Sequence, residues 1–230
     1  MMKRVLLIFG ANGVLGKGVA KVLTKKDFSK IYLFGSKLDE LPEASNIEKI
    51  ETKDLSIEKN VVDAFSNIEP SKEMLFFLYT TIGGYAGGKN TWETEINDME
   101  KMFNINFRTN FFIAKHFSGI VKESAGGSIC FTAAQTGINP SKKNSAYGSS
   151  KAALIHFVKT LALEGKEIRM TANAISPFII DTPANRQWMP DADYEKWVKP
   201  EEIGEIVNNL FSDFNFITGN IIEVTYRFQV

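Results

Sequence analysis

Cysteine is nearly absent from this chain: one residue, Cys130, stands among 230. No intramolecular disulfide can form, which suits a reducing cytoplasm better than an oxidising compartment. Histidine is almost as scarce. Two histidines, His116 and His156, together with one thiol leave a metal centre few ligands to draw on, so all three are read as structural side chains and no metal is expected. An excess of charge of either sign is missing too, since 27 basic residues balance 27 acidic ones. The chain therefore presents no field for nucleic acid or an anionic membrane. Long apolar runs are also lacking. The apolar start at residues 5–9 falls far short of the roughly 20 residues that span a bilayer, and a Gly-Ala-Asn-Gly turn breaks it at once. A soluble, cytoplasmic protein acting on a small molecule is the expectation.

What is present is enough apolar material for a core, 44% hydrophobic and 12% aromatic residues. Short apolar runs at 5–9, 31–34, 74–79, 128–132, 171–175 and 221–224 have the length of buried strands. Between them lie segments of helical period at 16–25, 57–65, 99–117, 149–163 and 201–211, the last beginning after Pro200. Strand and helix alternating in this way imply an α/β fold. Right-handed crossovers make it a doubly wound parallel sheet, the Rossmann fold, in a single domain over 1–230. One stretch breaks the rhythm. Residues 178–199 read as irregular, with Pro183 and Pro190, and a long loop after a strand's carboxyl end is expected to form a substrate lid.

The first strand runs directly into Gly10-Ala11-Asn12-Gly13-Val14-Leu15-Gly16 and then a helix. Gly10 allows the tight turn, Gly13 lets backbone approach a pyrophosphate, and Gly16 lets helix and strand pack closely. The helix N-terminus adds unpaired N–H groups and a partial positive charge. A dinucleotide is thus the expected cofactor. After the second strand comes Gly35-Ser36-Lys37, with no carboxylate to hold a ribose 2′-hydroxyl. A hydroxyl and an ammonium suit a 2′-phosphate, which favours NADP(H) while leaving NAD(H) open.

Tyr147-Gly148-Ser149-Ser150-Lys151 puts a phenol and an ammonium on one face of a helix start. An adjacent ammonium favours phenolate, so a lowered tyrosine pKa is expected, and with it proton transfer near neutral pH. With these motifs in order, the chain resembles the short-chain dehydrogenase/reductase family over essentially its whole length. The glycine motif, Asp54-Leu55, Thr80-Thr81-Ile82-Gly83, Asn106, Tyr147, Lys151, Ile175-Ser176-Pro177 and Asp181-Thr182 carry the resemblance. It implies an NAD(P)-dependent oxidoreductase with Tyr147, Lys151 and Asn106 as catalytic residues. It implies cofactor contacts from Gly10, Asn12, Gly13, Val14, Leu15, Gly16, Ser36, Lys37, Asp54, Leu55, Thr81, Ile82, Gly83, Pro177 and Thr182. A homodimer or homotetramer is implied as well, with the phenylalanine stripe Phe103, Phe107, Phe111, Phe112 and Phe117 read as core or subunit-interface packing.

Thirteen residues before Tyr147, where the family usually has serine, stands Ala134. Either Thr132 or Thr136 substitutes for it, or the substrate does not need it. The dihydropteridine reductase branch of the family shares that pattern. Gly83-Gly84-Tyr85-Ala86-Gly87-Gly88 and the string Asp181-Thr182-Pro183-Ala184-Asn185-Arg186 resemble that branch as well. The resemblance implies a flat conjugated acceptor such as quinonoid dihydropteridine, surrounded by Tyr85, Ala134, Gln135 and Trp188. A carbonyl or ketone reductase, or a non-catalytic NADP-binding sensor, are the alternatives.

Overall fold

A computed structural model describes residues 2–212 and 216–225 of the chain. Its centre is one seven-stranded sheet, in which neighbouring strands pair in parallel in the order β3-β2-β1-β4-β5-β6-β7. The strands are β1 (Lys3–Phe9), β2 (Lys30–Gly35), β3 (Ile47–Glu51), β4 (Met74–Thr80), β5 (Gly126–Thr132), β6 (Met170–Pro177) and β7 (Ile221–Val224). The chain steps outward from β1 to β3, then returns to β4 on the other side of β1. The crevice at this reversal, outside the carboxyl ends of β1 and β4, is where doubly wound sheets bind ligands. The expected fold class therefore holds.

The strands lack a polar face because both faces of the sheet are covered. Alternate β1 residues serve the two cores: Val5, Leu7 and Phe9 pack with Phe65, Phe117, Leu154 and Val158. Leu6 and Ile8 pack on the opposite face with Val19, Leu23, Ile203 and Phe211. The covering helices are α1 (Val14–Leu23), α2 (Glu58–Phe65), α3 (Ile96–Phe103), α4 (Thr109–Lys122), α6 (Ser145–Glu164) and α8 (Pro200–Ser212), with a short α5 (Gln135–Ile138) leading into α6. Phe107 and Phe111 of the stripe meet the Phe157 ring of α6, as does Phe131 of β5, while Phe117 is fully buried.

Three differences from the sequence reading have local causes. The strand β3 went unseen because Ile-Glu-Lys-Ile-Glu carries three charges in five residues; it lies at the sheet edge and is only half buried. The long aromatic helix runs farther than 99–117 and is interrupted by a π-helical turn over Asn104–Arg108 between α3 and α4. The segment 178–199 is more ordered than expected. Ile180 bridges Val198 in parallel, and a helix α7 (Pro183–Trp188) starts where the Thr182 hydroxyl accepts from the Asn185 N–H with proline at the first helical position. Among the described residues no helix is long and apolar enough to cross a membrane. The expectation that 226–230 packs on a partner or extends the last strand lies outside the described residues.

Candidate active site

The turn after β1 is built around glycine for want of space. Gly10 has φ +76°, and a Cβ there would lie 2.6 Å from the Thr81 hydroxyl. A Cβ on Gly16 would lie 2.1 Å from the Gly10 carbonyl oxygen. Gly13 caps α1 with no side-chain hydrogen bond, and the first turn holds no acidic residue. The helix N-terminus beside the turn is therefore left with its partial positive charge uncompensated, a cradle that fits a dinucleotide pyrophosphate. Val14 is half exposed at its rim, and Leu15 packs inward. Thr81, just past the end of β4, braces the turn, its hydroxyl lying 3.0 Å from the Gly10 carbonyl and 3.1 Å from that of Phe9.

Asn12 reaches from this turn to the end of β2. Its amide donates to the Ser36 hydroxyl and accepts from the Ser36 N–H, both at 3.3 Å, and Lys37 follows, exposed. On the other flank Asp54 accepts from the Ser56 N–H at 2.9 Å, and Leu55 is buried. Asp54 and Ile105 line a cavity of about 350 Å³.

The catalytic candidates converge at the start of α6. Lys151 is buried, and its ammonium donates to the Thr132 carbonyl at 2.8 Å. Burial pulls it down to about 8. A Cβ on Gly83 would lie 2.9 Å from the Lys151 Nζ and 3.0 Å from the Asn106 Oδ1, so Gly83 keeps open the gap between them. Asn106 lies in the π-helical turn, fully buried. Its Oδ1 accepts from the Gly84 N–H at 2.9 Å, while its Nδ2 donates to the Gly84 carbonyl and to the Ser150 hydroxyl, both at 3.0 Å.

The expected lowering of the Tyr147 pKa is not found. Burial, with the neighbouring Tyr85 adding to it, pushes the phenol up to about 12. The Lys151 ammonium donates to a carbonyl, and the Tyr147 ring packs nearly perpendicular to the Tyr85 ring, 5.0 Å between centroids at 78°. Tyr147 is thus protonated at neutral pH, in the state that donates a proton. Beyond it, Trp188 on α7 lies 6.4 Å from Tyr85. Both are largely exposed, so Tyr85 and Trp188 form an aromatic rim open to solvent beside the more deeply buried Tyr147.

Ala134 is buried. The Thr132 hydroxyl is tied to the Thr80 carbonyl and the Tyr79 phenol, each at 2.9 Å. The Thr136 hydroxyl is buried with no hydrogen-bond partner, and Thr136 lines a cavity with Pro140, Ser141 and Ala152 that includes neither Tyr147 nor Lys151. Gln135 is drawn to the sheet's end, donating to the Glu223 carboxylate at 2.9 Å. Pro177 is buried at the end of β6, and the Thr182 hydroxyl is occupied in capping α7. His116 bonds Glu58 at 3.1 Å and Cys130 is buried; no metal-holding group exists among the described residues.

Sequence reasoning missed the polar network behind these residues. The Ser150 hydroxyl donates to the Tyr147 carbonyl at 2.7 Å, Asn110 donates to the Asn106 carbonyl at 2.9 Å, and Thr80 donates to Asn110 at 2.8 Å. The available signal was the Asn-x-x-x-Asn spacing of 106 and 110 on the otherwise apolar helix face.

A family model described as short chain dehydrogenase matches residues 4–193. A dihydropteridine reductase from Dictyostelium discoideum is 27% identical, covering 89% of this chain and 86% of the relative. A hydroxynaphthalene reductase-like protein from Metarhizium acridum is 25% identical, covering 96% and 93%. The solved structure of ElxO with NADP bound superposes with a TM-score of 0.78 at 23% identity, covering 98% of each chain. With the glycine turn, the Tyr147–Lys151 helix and the sheet order all in place, the chain belongs to the short chain dehydrogenase family of NAD(P)-dependent oxidoreductases.

Proposed function

We propose that the protein reduces a flat, conjugated small molecule, with quinonoid dihydropteridine as the leading example, and uses NADPH in preference to NADH. The observation that carries this reading is the aromatic rim of Tyr85 and Trp188, with a protonated Tyr147 packed nearly perpendicular to Tyr85. Aromatic walls favour offset stacking on a planar ring. The names of two relatives, a dihydropteridine reductase and a hydroxynaphthalene reductase-like protein, both denote flat bicyclic compounds.

The bound nicotinamide supplies the hydride. The protein supplies position and a proton. Gly10, Gly13, Gly16 and the N–H groups at Val14 and Leu15 hold the pyrophosphate. Asn12, Ser36 and Lys37 face the 2′ position, whereas Asp54, Leu55, Ile82 and Gly83 line the path from adenine inward. Pro177 and Thr182 close the nicotinamide end. Tyr147 donates its phenolic proton to the acceptor. Lys151 holds the nicotinamide ribose and resupplies the proton, and Asn106 fixes the Gly84 backbone beside both. An acceptor whose own nitrogens and oxygen are polarised needs no hydroxyl at Ala134. Gln135 borders the same pocket, and the 178–199 segment serves as the lid that excludes water. The chain works in the cytoplasm as a homodimer or homotetramer; the half-exposed Phe111 on α4 and the exposed Leu163 on α6 support association.

NADPH oxidation, followed with quinonoid dihydropterin and with a panel of aliphatic ketones, tests the substrate. Turnover confined to the planar acceptor is expected; faster turnover of simple ketones would favour a carbonyl reductase. In Tyr147→Phe, kcat should fall by about 10²–10⁴ while the NADPH Kd stays within a few-fold. Cofactor binding without turnover on any acceptor would mark a sensor instead.

A further inference from the structure

We propose that Asn144 is a positioning residue for the planar acceptor: its side-chain carbonyl oxygen receives the Tyr85 hydroxyl when the acceptor enters and holds that ring against the acceptor's face. The proposal rests on the reading of Tyr85 as an acceptor wall given above. Two loops clasp beside the aromatic rim. One is the glycine-rich run at 83–88 after β4, the other the run at 141–144 that leads into α6. The Gly88 N–H donates to the Lys143 carbonyl at 2.8 Å. Both backbones enter the left-handed region at this clasp, Gly88 at φ +99° and Lys143 at φ +64°. Only the second is strained, because lysine carries a Cβ. Strain of this kind collects where a structure must hold a set geometry.

The Asn144 carboxamide is only half satisfied. Its Nδ2 donates to the Ser141 hydroxyl at 2.9 Å and to the Lys142 carbonyl at 3.3 Å. A backbone carbonyl only accepts, so this second contact fixes which end of the amide is nitrogen. The Oδ1 at the other end is buried and has no hydrogen-bond partner. A buried acceptor left without a donor costs free energy that a donor would recover. Gly87 shows which donor lies close. A Cβ built there would sit 2.5 Å from that Oδ1 and 2.6 Å from the Tyr85 hydroxyl oxygen, so the two atoms flank one spot that only a missing side chain keeps clear. The Tyr85 hydroxyl likewise has no hydrogen-bond partner among the described residues. Its ring is 58% exposed and meets the Tyr147 and Trp188 rings. A short turn of the phenol unites one unpaired donor with one unpaired acceptor and makes a solvent-facing ring a fixed wall. A ring already fixed loses less freedom when a planar acceptor stacks on it.

Steady-state kinetics of the full chain with NADPH and two planar probes, quinonoid dihydropterin and a naphthoquinone, test the pairing. Asn144→Leu, Tyr85→Phe and Gly87→Ala should each raise KM for the planar acceptor about three- to ten-fold, the range of a single hydrogen bond, with kcat and the NADPH Kd within about two-fold of the parent. The double variant Tyr85→Phe/Asn144→Leu should be no worse than either single one. Asn144→Asp, which keeps an acceptor, should recover most of the loss. Ser141→Ala takes away one of the amide's own bonds and should keep the parent KM, whereas a merely structural Asn144 would make it behave like Asn144→Leu. Additive losses, or a parent KM in Tyr85→Phe and Asn144→Leu while Tyr85→Ala raises it, would overturn the pairing and leave the aromatic wall standing. A parent KM in Tyr85→Ala, or no turnover of either probe by the parent, would remove the wall and the pairing with it.

Discussion

The Tyr147 phenol and the Lys151 ammonium share a helix turn, yet burial moves their proton affinities in opposite directions, to about 12 and about 8. Reduction draws a proton from Tyr147, which keeps it through the neutral range, so the pH dependence falls to Lys151. As pH rises through about 8 Lys151 loses its charge, and kcat/KM for reduction should fall there; Lys151→Met should show a low rate without that limb. The same group links stability to pH. Its folded value lies below the unfolded 10.5, so between about 8 and 10.5 the unfolded chain holds more protons and the Lys151 contribution rises with pH. Urea unfolding at the two ends of that window, in parent and Lys151→Met, measures it. Tyr147 and Lys151 stood out in the sequence because their pair follows a nucleotide-binding turn and a fifth strand, and Asn106 because of the family resemblance. The direction of the Tyr147 shift was not readable, because a sequence gives the spacing of phenol and ammonium along the helix but not how deeply the phenol is buried.

At the scale of elements, the π-helical turn between α3 and α4 presents Asn106 to two neighbours at once. Its carboxamide pairs with both backbone groups of Gly84, beside Tyr85, and with Ser150 in the turn of Tyr147. Widened turns of this kind often mark functional sites. Ser150→Ala removes the hydroxyl joining Asn106 to α6 and should cost about 1–3 kcal/mol in urea unfolding, since an amide proton is left buried without that partner. If the network also aligns the aromatic rim, KM for the planar acceptor should rise while the NADPH Kd holds, and Ser150→Thr should restore part of it. The elements legible beforehand were those with a full apolar stripe, such as β1, β4 and α6. The strand β3 escaped because edge strands tolerate charge, and α7 because a six-residue helix lacks enough turns to show a period.

For the whole molecule, the close contact between α1 and the end of β1 joins binding to folding. With a Cβ on Gly16 only 2.1 Å from the Gly10 carbonyl, Gly16→Ala must push α1 away from the sheet, and α8, which packs beside α1, must follow. A loss of about 1–3 kcal/mol and weakened NADPH binding should appear together, as a lower Tm that saturating NADPH raises less than in the parent. The doubly wound order was foreseeable from the alternation of runs, because parallel strands need helical crossovers. Which strands lie at the edge was not, because order depends on long-range pairing.

Every candidate side chain sits on the rim where the parallel strands end, and none on the rim where they begin. The connections on that second rim, such as the largely exposed stretch at 69–72 between α2 and β4, hold none of the candidate residues. They are the places where an epitope, a dye or new chain termini can be grafted without disturbing turnover.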